Sequence, residues 1–339
     1  MPVMSKDQEY HVAIIGATGA VGRTIMNILE ERNFPVRQLS LFASDRSRGQ
    51  TLGFKEEKHP IKVIEQGAFK DVDIAFFSAG GTISRRFVPQ AIDEGAIVID
   101  NTSAFRMDPD VPLIVPEVNE YDIKHHNGLI ANPNCSTIQM AAVLYPIREK
   151  VGLKRVIVST YQSISGAGTK AVSDLKDAAS SSLKDPHKKD KDGLAFNVIP
   201  KIDVFKDKGF TYEEMKMIEE TKKILSYPDL QVGATCVRVP VFTSHAESVY
   251  IEIDSESKTV QDIQQILREA KGIVVEDAPE RGVYPTPIRA ANEDSVFVGR
   301  IRQDLDLPNA FHMWIVSDNL RKGAALNTVQ IAESLIKTF

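Results

Sequence analysis

The stretch HVAIIGATGAVGRTIMNILEERN, residues 11–33, decides the fold of the first half of this chain. A short apolar run leads into a glycine-rich turn, and the turn opens an amphipathic pattern that places Ile25, Ile28 and Leu29 on one face. This order predicts a β-strand, a tight turn and a helix that covers a sheet. Backbone amides at such a helix N-terminus can hold a pyrophosphate, so the turn also indicates a dinucleotide-binding site.

The glycines of the turn, Gly16, Gly19 and Gly22, are spaced GxxGxxG and not GxGxxG. The motif alone is therefore weak, and the strand before it and the helix after it carry the argument. A tight turn that needs glycine for steric reasons is the alternative interpretation. The strand–turn–helix context favours a bound cofactor.

Outward from this turn, apolar runs rich in Val, Ile and Phe alternate with helical patterns up to about residue 132. The alternation predicts right-handed βαβ units and a doubly wound, Rossmann-type parallel sheet in an α/β fold. After about residue 133 the strand-like stretches run closer together, which predicts an α+β second domain with a mixed or antiparallel sheet. The runs interpreted as strands in the first domain are HVAIIG, RQLSLFAS, IKVIE, DIAFFSA, AIVID and GLIAN.

Two further segments lie outside this rhythm. The polar stretch SSSLKDPHKKDKDG, residues 180–193, predicts a surface loop. The last segment, residues 322–337, has a helical stripe of Ala325, Val329, Ala332 and Ile336 that must dock against another element.

Composition narrows the class of protein. The 339 residues suit two domains, and the net charge of -5 comes from acidic and basic residues that are interspersed, which argues against a nucleic-acid partner. No stretch approaches the roughly 20 apolar residues that span a bilayer. The only two cysteines, Cys135 and Cys236, lie far apart, so neither a disulfide framework nor a metal site is expected. We therefore expect a cytoplasmic protein with a small-molecule partner.

The residues after the second predicted strand bear on the choice of cofactor. An acidic residue there favours the ribose of NAD, whereas a basic residue beside hydroxyls favours the extra phosphate of NADP. Arg46 lies between Ser44 and Ser47, which favours NADP, while Asp45 keeps NAD open. Solvated loop charges without a ligand are the third interpretation.

Cys135 lies where a predicted strand ends, Pro133 breaks the chain and a helix begins. A thiol at a helix N-terminus has a lowered pKa and more thiolate, which suits a nucleophile. The same amides, together with Asn134, could donate to the oxyanion of a tetrahedral intermediate. Free cysteines are also common as small buried residues, and position alone does not separate the two interpretations.

A thiol nucleophile usually works with a proton carrier. His245 follows the strand that carries Arg238, at a strand–turn–strand corner from which side chains can reach a cleft. A surface turn residue is the alternative for this histidine. Cys236 lies inside a continuous strand pattern, so core packing is its expected role, although it is two residues from Arg238 and on the same sheet face.

Together these segments resemble aspartate-semialdehyde dehydrogenases, and the resemblance runs through nearly the whole chain. The stretches NPNCSTIQM (132–140) and STYQSISGAG (159–168) are the most specific, and GATGAVG, FSAGG, VIDNTSAFRMD, VPEVN, EEMKM, TCVRVPV and DNLRKGAALNTVQIAE also match. The resemblance implies a homodimeric enzyme that reduces L-aspartyl 4-phosphate with NADPH, giving the semialdehyde and phosphate. It also implies a place in diaminopimelate, lysine, methionine and threonine synthesis.

The same resemblance assigns site residues. It makes Cys135 the thioester nucleophile, His245 the acid/base and Gln162 a positioning residue. Arg238 would hold the substrate α-carboxylate, Glu213 or its neighbour Glu214 the amino group. The phosphate would bind Arg106 and Lys216, with Asn134 beside the substrate. The matching cofactor residues are Gly16, Thr18, Gly19, Ala20, Val21, Gly22, Ser44, Arg46, Ser47, Gly80, Ser165, Gly166 and Asn319.

The resemblance also bears on the domain boundaries and on the alternative functions. The resemblance implies that the final helix returns to the first domain, which gives a cofactor domain of residues 1–132 and 319–339 and a catalytic and dimerisation domain of residues 133–318. The rival enzyme is a reductase of N-acetylglutamyl phosphate, whose acetylated amine lacks the charge that Glu213 would pair with. A phosphorylating aldehyde dehydrogenase of the glycolytic kind is a further rival. A non-catalytic NADP-binding regulator, with an inert Cys135, is the alternative from another class.

Overall fold

The structure is a computed structural model that describes residues 8–184 and 192–338. The chain forms two compact units, with breaks between Asn134 and Cys135 and between Gly323 and Ala324. From the sequence, the breaks were expected at 132/133 and 318/319. In the structure Asn319 lies in the second unit and not in the first. Within the described ranges, no helix is long and apolar enough to cross a membrane. These ranges also contain no cluster of three or more His, Cys, Asp or Glu side chains that could hold a metal ion.

The described part of the chain forms strands and helices with the following bounds. The strands are β1 (Tyr10–Ile15), β2 (Val36–Phe42), β3 (Thr51–Phe54), β4 (Glu57–Lys62), β5 (Ile74–Phe77), β6 (Ile97–Asp100), β7 (Leu129–Ala131), β8 (Arg155–Gln162), β9 (Gln231–Arg238), β10 (His245–Glu252), β11 (Ile273–Val275), β12 (Val296–Gln303) and β13 (Ala310–Ser317). The helices are α1 (Ala20–Glu31), α2 (Gly81–Asp93), α3 (Pro116–Asn119), α4 (Cys135–Val151), α5 (Thr169–Lys184), α6 (Tyr212–Ile224), α7 (Val260–Arg268), α8 (Pro287–Ala290) and α9 (Leu326–Thr338).

The first unit is built on a seven-stranded sheet in the order β3-β4-β2-β1-β5-β6-β7. Every neighbouring pair is parallel except β3 with β4. One face packs against α1 and α9, through residues such as Ile28 and Val329, and α2 covers the other through Val88 and Ala91. Both faces of the sheet are therefore buried, which explains its continuous apolar runs. The predicted Rossmann-type sheet and the return of the last helix to it are confirmed.

The second unit contains a six-stranded mixed sheet in the order β11-β12-β13-β10-β8-β9. The pairs β8–β9 and β11–β12 are parallel, and the other three are antiparallel. Helices α4, α6 and α7 pack against this sheet. Strand β8 alternates regularly, with Val156 and Val158 buried and Ile157 and Tyr161 exposed. One sheet face is thus the core of this unit, as expected for an α+β domain.

Some local elements were not predicted, and one predicted strand has different bounds. Helix α5 was not predicted, because Leu175 is its only buried residue and leaves no apolar stripe to recognise. Strand β3 was also missed, since this short edge strand pairs with β4 alone. The run IKVIE contributes only Ile61 and Lys62 to a strand, and Val63 and Ile64 line a cavity instead.

The predicted polar loop was partly wrong as well. Its residues 180–184 belong to α5. Residues 185–191 lie outside the described part of the chain.

Candidate active site

Cys135 is the first residue of α4, which is 17 residues long and begins directly after Asn134. The side chain is half-buried and forms no disulfide. Amide N–H groups in the first turn give this helix end a partial positive charge, which favours thiolate over thiol. The Arg238 guanidinium interacts electrostatically with Cys135 and favours the thiolate further. The position suits a nucleophile.

The register of the second sheet aligns three of the predicted site residues. His245 of β10 is paired with Gln162 of β8, and Gln162 is paired with Arg238 of β9. Directly paired residues project from the same face of a sheet. His245, Gln162 and Arg238 therefore form one row across three strands, and we call it the site row. Ser317 of β13 is paired with His245 and extends the row by one strand.

His245 is fully buried, and its ring orientation is set by the backbone. The amide N–H of Ser163 donates to Nδ1 at 3.0 Å. An amide can only donate, so Nδ1 is an acceptor and the neutral ring carries its proton on Nε2. Burial, and secondly the charge of Arg238, lowers the pKa of His245 to about 3, so the ring is neutral at pH 7. Nε2 makes no hydrogen bond to any residue that the structure describes.

Gly166 keeps the space in front of the site row open. A Cβ atom at this position would lie 3.4 Å from Nε2 of His245 and 3.5 Å from Nη1 of Arg238. A larger side chain would therefore fill the volume into which both groups can reach. Nη1 of Arg238 also donates to the carbonyl oxygen of Ser163 at 2.6 Å, which fixes the guanidinium.

A chain of polar contacts leads from the site row to helix α6. Nε2 of Gln162 donates to Oε1 of Glu213 at 3.2 Å, and Oε2 of Glu213 lies 3.1 Å from Nζ of Lys216. Nζ of Lys216 also lies 2.9 Å from Oδ2 of Asp203. Burial lowers the pKa of Lys216, but the two carboxylates outweigh that effect and the net pKa is raised. Lys216 therefore stays charged beside a buried carboxylate.

The structure distinguishes Glu213 from Glu214. Glu214 accepts hydrogen bonds from the amides of Thr211, at 2.7 Å, and Cys236, at 3.0 Å. Thr211 and Glu214 form a capping box that begins helix α6. Glu214 is thus engaged in holding the helix, and Glu213 is the residue that reaches Gln162.

Cys236 packs in the core of the second unit. It is fully buried, and its Sγ lies 3.7 Å from Sδ of Met217. Burial, and secondly the charge of Glu213, raises the pKa of Cys236 far above the usual thiol value. This thiol is therefore not suited to be a nucleophile, although its strand position is two residues from Arg238.

Asn319 and Ser165 are engaged within the second unit. Oδ1 of Asn319 accepts hydrogen bonds from the hydroxyls of Ser163 and Ser165 and from the amide of Ser244. Its Nδ2 donates to Ser165 at 2.9 Å, and Asn319 is 2% exposed. Both residues were expected to contact the cofactor. In the structure, their side chains connect the segment of Ser163 and Ser165 to Ser244, which directly precedes His245.

The glycine-rich turn lies beside a cavity of about 530 Å³ in the first unit. Gly16 has a φ of +91°, and a Cβ atom at Gly22 would lie 2.3 Å from the carbonyl oxygen of Gly16. The turn therefore needs glycine at both positions for steric reasons, and this close packing also shapes the cavity wall. Ala20 and Val21 begin α1, and Gly80 is the N-cap of α2. The cavity is lined by Ile15, Gly16, Thr18, Gly19, Phe42, Ala43, Ser44, Val63, Ile64, Ser78, Ala79, Ile83, Arg86 and Phe87.

The residues expected to choose between NAD and NADP follow β2. Asp45 pairs with Arg48 at 2.9 Å, and both are exposed. Arg46 is also exposed and lies with Ser47 in a short 3-10 turn that Ser44 precedes. Ser44 lines the cavity, so this turn lies at its edge.

Arg106 and Asn134 belong to the first unit. Arg106 is 7% exposed, and its guanidinium donates to the carbonyl oxygens of Asn132, at 2.9 Å, and Asn101, at 2.8 Å. Asn134 is equally buried. The structure thus brings Cys135, Gln162, Glu213, Lys216, Arg238 and His245 together in the second unit, and the cavity residues together in the first.

Several residues with a part in these contacts were not found from the sequence. Ser163 follows Gln162 and Ser244 precedes His245, so their positions beside predicted site residues could have indicated them. Asp203 and Arg86 stand in stretches without a recognisable motif. Arg86 lines the cavity and packs over the ring of Phe87 at 4.8 Å.

Comparison with known proteins agrees with this architecture. The family model of the semialdehyde dehydrogenase NAD binding domain matches residues 11–126, and that of the semialdehyde dehydrogenase dimerisation domain matches residues 144–322. Aspartate-semialdehyde dehydrogenase from Bacillus subtilis (strain 168) is 56% identical over 337 residues, which cover 96% of this chain and 97% of that protein.

Solved structures agree along the same length. The crystal structure of aspartate semialdehyde dehydrogenase II complexed with ASA, from Vibrio cholerae, matches with a TM-score of 0.92 and 45% identity, over 97% of this chain and 98% of that chain. The NADP complex of the enzyme from Candida albicans matches with a TM-score of 0.77 and 27% identity, over 97% and 98%. Both the sequence and the fold are thus shared over at least 96% of this chain, and the chain belongs to the aspartate-semialdehyde dehydrogenase family.

Proposed function

We propose that this chain reduces L-aspartyl 4-phosphate to L-aspartate 4-semialdehyde and phosphate with NADPH, through a thioester on Cys135. The observation that carries the proposal is the site row, in which Arg238, Gln162 and His245 are aligned by strand register in the unit that begins with Cys135. Carboxylate recognition, a positioning amide and a proton donor are thus held on one rigid sheet. The relative solved with ASA supports this substrate class.

The substrate has two charged groups near its reacting carbon, and the site offers partners for both. Arg238 presents a planar fork that suits the α-carboxylate. Glu213 presents a buried carboxylate that suits the α-ammonium. An N-acetylated substrate has no ammonium group and could not form this ion pair with Glu213. Lys216 supplies positive charge for the phosphate.

In the first step the Cys135 thiolate attacks the acyl carbon, the C–S bond forms and the C–O bond to phosphate breaks. Phosphate leaves with the electron pair of that bond and takes a proton from solvent. A nicotinamide cofactor, when bound, would supply the hydride that reduces the thioester. His245 donates its Nε2 proton as a hydrogen bond to the oxygen that gains negative charge. When the C–S bond breaks, that oxygen becomes the aldehyde carbonyl and the Cys135 thiolate is restored.

The cavity of the first unit fits a dinucleotide. The tight turn at Gly16, Gly19 and Gly22 lets the backbone approach a pyrophosphate at the start of α1. We assign NADP over NAD, because Ser44 lines the cavity and Arg46 lies in the turn that follows it, while Asp45 is paired with Arg48. Arg86 supplies a further cation in the cavity wall. The NADP complex of the Candida albicans relative supports this choice.

We further propose that the chain acts as a homodimer through the second sheet. The face of β8 opposite α4 exposes Ile157 and Tyr161, 48% and 39% respectively, although both are large and apolar. Tyr161 packs against Trp314 at 5.2 Å, which continues the aromatic surface onto β13. Exposed apolar patches of this kind mark interfaces, and the matching family model is described as a dimerisation domain. We place the enzyme in the cytoplasm, in the synthesis of diaminopimelate, lysine, methionine and threonine.

A steady-state assay with aspartyl phosphate and either NADPH or NADH tests the proposal. We expect turnover with NADPH and weaker use of NADH. Cys135→Ser should lower kcat by roughly three orders of magnitude or more, because the covalent step is lost. NADPH binding by fluorescence should survive in that variant. Activity on the N-acetylated glutamyl substrate alone, or full activity in Cys135→Ser, would overturn the assignment.

A further inference from the structure

A second row of residues lies directly behind the site row. Glu247 of β10 is paired with Thr160 of β8 and with Ile315 of β13, and Thr160 is paired with Cys236 of β9. All four side chains are 0% exposed. Glu247 follows His245 by two positions and therefore projects from the same face of β10. An acidic side chain is thus enclosed in the core of the second unit, one step behind the histidine.

Helix α4 presents Gln139 to this second row. Gln139 is fully buried and lies one helical turn after Cys135, so the two residues share a face of α4. Oε1 of Gln139 accepts a hydrogen bond of 2.7 Å from the hydroxyl of Ser317. The Gln139 side chain also faces Glu247. Gln139 therefore joins the helix that carries the thiol to the strands that carry the site row.

Glu247 lacks the partners that an ionised carboxylate needs. Neither of its oxygens makes a hydrogen bond of ordinary geometry within the described residues, and the same holds for Nε2 of Gln139. The groups around Glu247 include the Gln139 amide from α4, Thr160 and Cys236 from β8 and β9, and Ile315 from β13. A buried carboxylate without a cation or donors is strongly disfavoured. Burial accordingly raises the pKa of Glu247 well above its usual value, although the Gln139 amide beside it acts in the opposite direction.

A neutral carboxylic acid and a primary amide are complementary. The acid O–H donates to the amide oxygen, and the amide N–H donates to the acid carbonyl. Oε1 of Gln139 has a second lone pair for this bond beside the one that Ser317 uses. The two side chains are therefore able to satisfy each other as a pair. We propose that Glu247 is held as a neutral acid paired with Gln139, and that this acid–amide brace positions Cys135 of α4 against His245 of β10.

The brace matters because the reacting groups are on different elements. Cys135 sits at the start of a helix and His245 at the start of a strand, and each is within one turn or two residues of the brace. A misplacement of about 1 Å between reacting groups can lower a rate by roughly 100-fold. Glu247 and Gln139 touch neither substrate nor cofactor, so they are positioning residues. The inference rests on the proposed function, because the reaction defines which distance must be kept.

The experiment compares Glu247→Gln, Glu247→Leu, Gln139→Leu and the double Leu variant. Glu247→Gln keeps a neutral group that can pair with the amide, so we expect kcat within about threefold of wild type. Each Leu variant should lose about 10- to 100-fold in kcat with little change in KM. The double variant should be no worse than either single one, because both remove the same brace. Alkylation of Cys135 by iodoacetamide should slow in the Leu variants and recover in Glu247→Gln.

Controls separate positioning from general damage. Val249→Ala removes packing at the next inward position of β10 and should lower the melting temperature without changing kcat. The infrared spectrum of wild type should contain a protonated carboxyl band that disappears in Glu247→Gln. Any one of three results would overturn the brace. The first is wild-type kcat in folded Glu247→Leu, and the second is an equal loss of kcat in Glu247→Gln and Glu247→Leu. The third is a matching loss of kcat in Val249→Ala. Inactive wild type would refute the proposed function, while the infrared and alkylation results would still test the brace.

Discussion

The backbone amide of Ser163 determines which ring nitrogen of His245 carries the proton that the ring can donate. Because the Ser163 N–H occupies Nδ1, the ring enters the reaction as a neutral donor at Nε2 and not as an imidazolium. This arrangement suits an oxygen that becomes negative and then neutral again within one turnover. It also makes the activity insensitive to titration of this ring near pH 6.5, since the folded pKa is about 3.

The buried ring has a consequence for folding stability that can be measured. Between pH 3 and 6.5 the unfolded chain protonates His245 and the folded chain does not, so the unfolded state binds more protons. Stability therefore falls as the pH is lowered through 6.5. Relative to His245→Gln, wild type should lose about 2 kcal/mol of unfolding free energy between pH 7 and pH 5. Urea unfolding at both pH values measures this, and an unchanged difference would contradict a neutral buried ring.

Glu213 and Glu214 are adjacent and both buried, yet they should respond differently to substitution. Glu213→Gln removes the carboxylate beside Gln162 and should raise KM for the substrate by about 10- to 100-fold, as expected for a lost charged hydrogen bond. Glu214→Gln weakens the capping box and should cost about 1 kcal/mol of stability. Its KM should stay close to wild type. Steady-state kinetics and thermal unfolding on both variants decide the matter, and a reversed pattern would assign the substrate amine to Glu214.

Between strand β1 and helix α1, the chain has almost no free volume. A methyl group at Gly22 would lie 2.3 Å from the Gly16 carbonyl oxygen, so Gly22→Ala must shift the turn. We expect a loss of about 1 to 3 kcal/mol in stability and at least tenfold weaker NADPH binding. Gly53→Ala is the matched control, because its nearest atom is 4.0 Å away. Calorimetry on both variants tests this, and equal NADPH affinity in Gly22→Ala would show that the turn does not shape the cofactor site.

Elements with a clear period were predictable from the sequence, and contacts across strands were not. The stripe on α9 and the buried face of α1 follow from apolar residues at helical spacing, and both are confirmed. Helix α5 has no such stripe and was missed. His245 was a candidate from its position after the strand of Arg238, but Gln162 could be named only through a family resemblance, because the register that aligns the two is long-range. The engagement of Asn319 with three serines also lies beyond any local pattern.

At the scale of the whole molecule, the second sheet has an apolar face, with Ile157 and Tyr161, that is exposed to solvent in a single copy of the chain. Replacing Ile157 by Asp puts a charge on that face and should halve the mass measured by light scattering. Leu305→Asp is the control, because Leu305 is fully exposed between β12 and β13 and lies outside the sheet. A dimer that persists in Ile157→Asp would place the interface elsewhere.

The site row has a consequence for the order in which the protein acquires activity. Strand β8, which carries Gln162, is far in sequence from β9 and β10, which carry Arg238 and His245, and the row is complete only when β8 is paired with both. Non-local pairing of this kind forms slowly during folding, because long loops must close first. A nascent or partly refolded chain therefore contains the thiol before it contains the groups that direct it. Recovery of catalysis should trail recovery of helical signal during refolding.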